Sequence, residues 1–310
     1  MKSPPTNVAQ SVRARLLTFA KAKGEDFNYV LIRYALERFL VRLSRSAHRD
    51  TFILKGAMLF RAWAPQTHRP TKDLDLLGRG SPEPARLARF FEEICAVEVD
   101  DDGMVFDAKS VKAERIKQDA EYEGVRITLR ARLGTARLDL QVDVGFGDAV
   151  SPDPVEIEFP TLLPMSAPKL RAYRRETVIA EKLHAMVDLG IANSRMKDFF
   201  DIWFLSQTFD FDGAVLADAI KSTFATRKAE LPNAVPLALT DAFARDEAKQ
   251  RQWKAFVTRI GADTNDSSFE DLLSTISTFL WPPLAALSAN VEFARRWKAR
   301  GPWREVPIPR

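Results

Sequence analysis

The alternation Asp73-Leu74-Asp75-Leu76 constrains this chain more than any other segment. Side chains at i and i+2 leave the same face of a strand. Two carboxylates therefore stand side by side on one surface, while Leu74 and Leu76 enter a core on the other. A chain with such a segment needs a sheet that is apolar on one face and solvated on the other. Residues 124–130 and 137–144 ask for the same thing, since both alternate aliphatic with polar residues. Leu133-Gly134-Thr135 between them reads as a hairpin connection.

The rest of the pattern frames this sheet. Asn7 is placed to cap a helix that runs to Lys23 and stops at Gly24. A second helix, from residue 27 to 46, carries Tyr29, Ile32, Leu36, Phe39 and Leu43 at spacings of three and four. Residues 51–54 read as a strand, Lys55-Gly56 as punctuation, and 57–63 as a helix. Residues 151–169 hold five prolines and little periodicity, which predicts an extended linker. Nearly everything beyond it reads as helix. The expected fold class is α/β (α+β), with an α/β domain over 1–160 that includes the N-terminal helices, and a helical domain over 161–310.

A chain of 310 residues accommodates two domains. Cys95 is the only cysteine, so intramolecular disulfides are excluded and a reducing cytoplasm fits. No apolar run approaches the roughly 20 residues of a membrane span, and Met1-Lys2-Ser3-Pro4-Pro5 lacks the apolar core of a secretion signal. Residues 1–50 carry ten Lys/Arg against four Asp/Glu, more than the whole-chain balance of +4. Arg295-Arg296-Trp297-Lys298-Ala299-Arg300 is also basic and adds an indole. Such patches suit a polyanionic partner, although a solvated helix face is the commoner meaning of any one of them.

Asp73 and Asp75 offer hard oxygen ligands, the chemistry that divalent ions and triphosphates require. Asp143 sits on the polar side of the 137–144 strand, shared with Asp139, and is the candidate third carboxylate. Gly56 in Lys55-Gly56-Ala57 permits close backbone approach to a phosphate, and free N–H groups of a first helical turn favour an anion. Arg69 and Lys72 could neutralise phosphate charge or form surface ion pairs. In the helical half, Lys182 lies beside the apolar stripe of Ile179, Leu183 and Met186, and Asp198 and Asp201 lie three apart on one helix surface. The ordinary reading of each is a solvated face or a surface pair. His184 reads as a packed histidine, and Lys249 as a surface lysine.

Taken together, these segments resemble the AbiEii/AbiGii-type nucleotidyltransferase toxins of the polymerase-β-like superfamily. The resemblance rests on residues 34–40 with 52–59, on 69–75, on 140–146, and on 180–185 with 197–201. It implies a bilobal fold, a polymerase-β-like core followed by a helical domain. It also implies Mg²⁺-dependent transfer of a nucleotide from an NTP, with tRNA 3′ ends as acceptor in some relatives. Asp73 and Asp75 then correspond to the metal pair, Asp143 to the third acid and metal ligand, and Gly56 to the phosphate-binding turn. Lys182 corresponds to the lysine on the triphosphate, and Asp198 and Asp201 to the acidic motif of the helical domain. A cognate antitoxin encoded nearby, such as a DNA-binding repressor, is implied as partner. Ala57 departs from the Ser or Thr common after the glycine, which leaves backbone N–H groups alone to meet phosphate. Two other readings compete: transfer to a small-molecule or protein hydroxyl, and a non-catalytic nucleotide- or RNA-binding module.

Overall fold

The computed structural model describes residues 7–64, 69–119, 122–148, 150–261 and 268–305. Among them are ten α-helices and ten strands in a mixed α/β arrangement. The chain divides into two compact units, Met1–Gly147 with Val155–Tyr173, and Asp148–Pro154 with Arg174–Arg310. Residue 160, where the sequence reading puts the boundary, lies within the first unit.

The first unit opens with α1 (Val8–Lys23), capped by the Asn7 side chain and ended by Gly24 in the left-handed conformation. Its buried stripe is Val12, Leu16 and Ala20. In α2 (Phe27–Arg45) every residue from Tyr34 to Leu43 is buried, including Glu37, Arg38 and Arg42. These charges are paired. Glu37 Oε1 accepts from Arg38 at 2.5 Å and its Oε2 from the Leu162 N–H at 2.7 Å, while Arg38 donates to the Ser166 carbonyl. Burial still pushes the Glu37 carboxyl up. Arg42 grips Asp102 through both guanidinium nitrogens, at 2.8 and 3.2 Å.

Half of the ten cations in residues 1–50 are thus held in ion pairs. Arg33, Arg45 and Arg49 pair with Glu25, Asp100 and Glu156 in addition to the two buried arginines. Among the described residues the exposed surplus lies on α1, at Arg13, Arg15, Lys21 and Lys23.

A seven-stranded mixed sheet follows, in the order β3-β4-β5-β2-β1-β7-β6. Its strands are β1 (Phe52–Lys55), β2 (Asp73–Gly78), β3 (Met104–Asp119), β4 (Tyr122–Leu133), β5 (Ala136–Gly145), β6 (Val155–Glu158) and β7 (Lys169–Ala172). β2 runs parallel to β5 and β1 parallel to β7, and the other pairs are antiparallel. Leu74, Leu76, Val125, Ile127, Leu129, Val142 and Val144 form the buried face, against which α2 and α4 (Pro84–Cys95) pack. The stretch 151–169 is not a linker. It supplies β6 and the start of β7, whose four-residue strands are too short to show a period.

The second unit holds α5 (Arg175–Leu189), α6 (Met196–Thr208), α7 (Gly213–Thr226), α8 (Asp241–Arg245), α9 (Glu247–Ile260) and α10 (Phe269–Ser288). Phe199, Phe243, Trp253 and Phe269 stack at its centre. β8 (Phe211–Asp212), β9 (Arg295–Trp297) and β10 (Trp303–Glu305) make a small separate sheet. Two surface readings fail here. Trp297 is only 1% exposed, with its indole N–H on the Ser206 carbonyl, so the indole of the basic stretch belongs to the core. Lys249 is 5% exposed and donates to the Asn193 carbonyl at 2.9 Å, because a buried backbone acceptor there needs a donor. No helix among the described residues is long and apolar enough to cross a membrane.

Candidate active site

One row of side chains crosses five adjacent strands on the solvated face of the large sheet. Lys55 is paired with Asp75, Asp75 with Asp143, Asp143 with Arg126, and Arg126 with Glu114. The alternation of charge in this row follows from register alone. Facing residues in neighbouring strands leave the same face, so each charge meets its opposite except at the central pair, Asp75 and Asp143. Asp73 lies one step along, paired with Gln141, and is exposed where Asp75 is half-buried. Thr71 steadies the entry to β2: its N–H donates to the Tyr29 hydroxyl at 3.4 Å and its own hydroxyl to the Asp73 carbonyl at 3.3 Å.

Gly56 explains how Asp75 fits. Its φ is +72°, and a Cβ placed there would lie 2.0 Å from Asp75 Oδ2 and 2.7 Å from Asp75 Cβ and Cγ. The missing side chain therefore makes room for a carboxylate of the same sheet. Gly56–Met58 form a 3₁₀ turn before the short α3 (Leu59–Trp63), so a turn follows the strand as expected but the helix behind it is brief. Ala57 is buried in that turn and Lys55 stands 5.5 Å over the Tyr173 ring. Arg69 is half-buried and Lys72 exposed on the approach to β2.

Asp143 is already engaged. Arg126 donates from Nε to Oδ1 and from Nη2 to Oδ2, both at 2.9 Å, a bidentate pair that leaves Asp143 13% exposed. The bond to Asp143 holds the Arg126 guanidinium above its ordinary value, and the charges of Asp73 and Asp75 add to the effect. Among the described residues no three His, Cys, Asp or Glu side chains are gathered closely enough to hold a metal ion. The donor set nevertheless suits a hard divalent cation: Asp73 and Asp75 supply carboxylate oxygens from one face, with Asp143 in register beside Asp75. Arg126 is the residue of this candidate site that periodicity alone passes over. Its signal lies in the hairpin register, because a turn at Gly134-Thr135 counts back to Arg126 opposite Asp143.

The second unit has its own ionic constellation. Lys182 on α5 reaches Asp198 Oδ1 at 2.5 Å and Asp201 Oδ2 at 2.8 Å, and Arg195 forms an ion pair with Asp198 Oδ2 at 2.7 Å. Both aspartate side chains are fully buried, and Lys182 is 13% exposed. These residues are not a solvated surface pair. Burial alone pushes the Asp198 carboxyl up, but Lys182 and Arg195 pull it below the ordinary carboxylate range. His184 is packed, as its sequence context suggests, edge-on to Phe224 with Nδ1 on Arg227, which also holds Asp148. The structure thus brings Lys55, Gly56, Asp73, Asp75 and Asp143 together in the first unit, and Lys182, Asp198 and Asp201 together in the second.

Comparison with known proteins places a family model on this framework. The model for the nucleotidyl transferase AbiEii toxin of type IV toxin–antitoxin systems matches residues 38–275. That span contains every residue of both constellations. No curated protein matches the chain. Among solved structures, a candidate nucleotidyltransferase from H. pylori is similar with a TM-score of 0.48 and 16% identity, covering 84% of this chain and 96% of that one. JHP933 from Helicobacter pylori is similar with a TM-score of 0.45 and 16% identity, covering 83% and 88%.

Proposed function

The chain belongs to the AbiEii family of nucleotidyl transferase toxins of type IV toxin–antitoxin systems, and from that premise we propose that it transfers a nucleotide from an NTP to an RNA, the 3′ end of tRNA in particular. The observation that carries this reading is the seating of Asp75, in the space left by Gly56 and in register with Asp143. Family membership implies an NTP substrate and an antitoxin partner; a DNA-binding repressor is our proposal for the latter.

The reaction joins an acceptor hydroxyl to the α-phosphorus of the NTP. The bond from that phosphorus to the β-phosphate oxygen breaks, and pyrophosphate leaves. Asp73 and Asp75 are the residues we assign to Mg²⁺, and Asp143, in register beside Asp75, would be the third carboxylate to hold it. Bound there, Mg²⁺ supplies charge neutralisation at the phosphates. Asp143 orients the attacking hydroxyl and takes its proton on a carboxylate oxygen. Gly56 and Ala57 present backbone N–H groups to a phosphate, with Lys55 and Arg69 adding positive charge. Lys182 is assigned to the triphosphate, and Asp198 and Asp201 to fixing its ammonium.

Expression of the chain alone in a bacterial host tests the reading. Growth should arrest, and the tRNA of arrested cells should carry extra 3′ nucleotides and resist aminoacylation. Asp75→Asn should abolish both effects. Active enzyme with unmodified tRNA would remove the tRNA assignment while leaving the transferase. Arrest that persists in Asp75→Asn would show that toxicity owes nothing to the chemistry.

A further inference from the structure

The solvated sheet face contains one like-charged pair besides the two central acids. The β4–β5 hairpin sets Arg130 opposite Asp139 and Arg126 opposite Asp143, but Arg132 opposite Arg137. Arg132 and Arg137 are exposed, and neither has an ion-pair partner among the described residues. On the next strand Val105 faces Arg132 and is itself 53% exposed, and the acid two residues along, Asp107, pairs with Arg130 instead. Like charges directly opposite in an antiparallel pair oppose folding. A local violation of pairing on a face that otherwise obeys it points to a ligand.

We propose that this hairpin face is the dock for the phosphodiester backbone of the RNA acceptor. The proposal rests on the RNA-acceptor reading above and adds where that acceptor sits. Arg132, Arg137, Arg130 and Asp143 share one face of an unbroken hairpin register. The arginine pair lies roughly 20 Å from Asp143 along β5, at about 3.4 Å per residue. Lys112 and Thr128, exposed and opposite each other, extend the same face between the two. A strand of RNA held by Arg132 and Arg137 would therefore run along the sheet toward the carboxylates. Guanidinium forks match phosphate oxygens two at a time, and a phosphate between two arginines removes their mutual repulsion. The N-terminal helices are the weaker dock, since most of their arginines are spent on Glu25, Glu37, Asp100, Asp102 and Glu156.

Anisotropy titrations of fluorescein-labelled bulk tRNA with the full chain, across salt, test this. For Arg132→Gln/Arg137→Gln, affinity should fall about tenfold or more and the log–log salt slope should lose about 1.5–2, the share of two phosphate contacts. Thermal stability of that variant should hold or rise, because a repulsion is removed. Arg13→Gln/Arg15→Gln on α1 should bind as wild type does. If the hairpin variant binds tRNA with unchanged affinity and slope while wild-type enzyme still labels RNA, the docking face is wrong and the acceptor reading stands. Loss of binding in the α1 variant instead moves the dock to that helix. If the wild type neither binds nor labels tRNA at low salt, the RNA-acceptor reading falls and the dock with it. Poly-glutamate that competes as well as unlabelled tRNA would also overturn the assignment to RNA.

Discussion

Asp75 on β2 and Asp143 on β5 stand directly opposite each other on parallel strands, like charges in register at the centre of an otherwise alternating row. Such a pair is held together at a cost, and the neighbours lessen it. Arg126 binds Asp143 through both oxygens, and Lys55 faces Asp75 across β1. The first prediction follows. Asp75→Asn should abolish nucleotide transfer yet leave the melting midpoint unchanged or slightly raised, because one of two apposed charges is gone. Asp73→Asn should also abolish transfer with the fold intact. Unfolding of either variant at ambient temperature, followed by circular dichroism, would make the acids structural.

Gly56→Ala is expected to act through Asp75. The new methyl needs space that the Asp75 carboxylate occupies, and a non-glycine residue at positive φ costs about 1–2 kcal/mol by itself. Transfer should fall at least as far as in Asp75→Asn, with a destabilisation of about 1–3 kcal/mol in urea melts. An active, undamaged Gly56→Ala enzyme would mean that Asp75 does not work from this position.

Lys182 cannot be tested by truncation alone. Removing it leaves two fully buried carboxylates short of a partner, and breaking a buried ion pair costs about 3–5 kcal/mol. Lys182→Met should therefore be both inactive and unstable. Adding Asp198→Asn and Asp201→Asn should recover much of the stability and none of the activity. Recovery of both would reduce Lys182 to a structural counter-ion.

The same network fixes a pH dependence. The Asp198 carboxyl sits below the ordinary range in the folded chain, so it contributes stability above about pH 4, where the unfolded carboxyl is ionised. That contribution disappears as pH falls below about 4, through the folded value. Asp198→Asn should be less stable than wild type at pH 7, and the gap should narrow below pH 4. A gap that stays constant to pH 2.5 would show that the loss is steric and not ionic.

Much of the first unit is legible in the residues, for physical reasons that also explain what is not. Asn7 and Gly24 bracket α1 because caps and left-handed turns have strong residue preferences. The acid face of β2 and β5 is legible because a period of two leaves no other place for Asp73, Asp75 and Asp143. Lys249 is misleading, since Glu247, Gln250 and Arg251 around it are polar while its own ammonium is drawn inward by the Asn193 carbonyl. Trp297 misleads in the same way, exposed arginines flanking a buried indole. The burial of Asp198 and Asp201 is hidden too, because it depends on Lys182 arriving from a different helix.

The account stands most directly on one measurement. Purified chain is incubated with Mg²⁺, tRNA and each α-³²P-labelled NTP in turn, beside Asp75→Asn at equal concentration. The expected result is label on the RNA 3′ end from at least one NTP, with pyrophosphate released in equal amount, and none from Asp75→Asn. Labelling by Asp75→Asn at the wild-type rate would contradict the role given to the carboxylate that Gly56 makes room for.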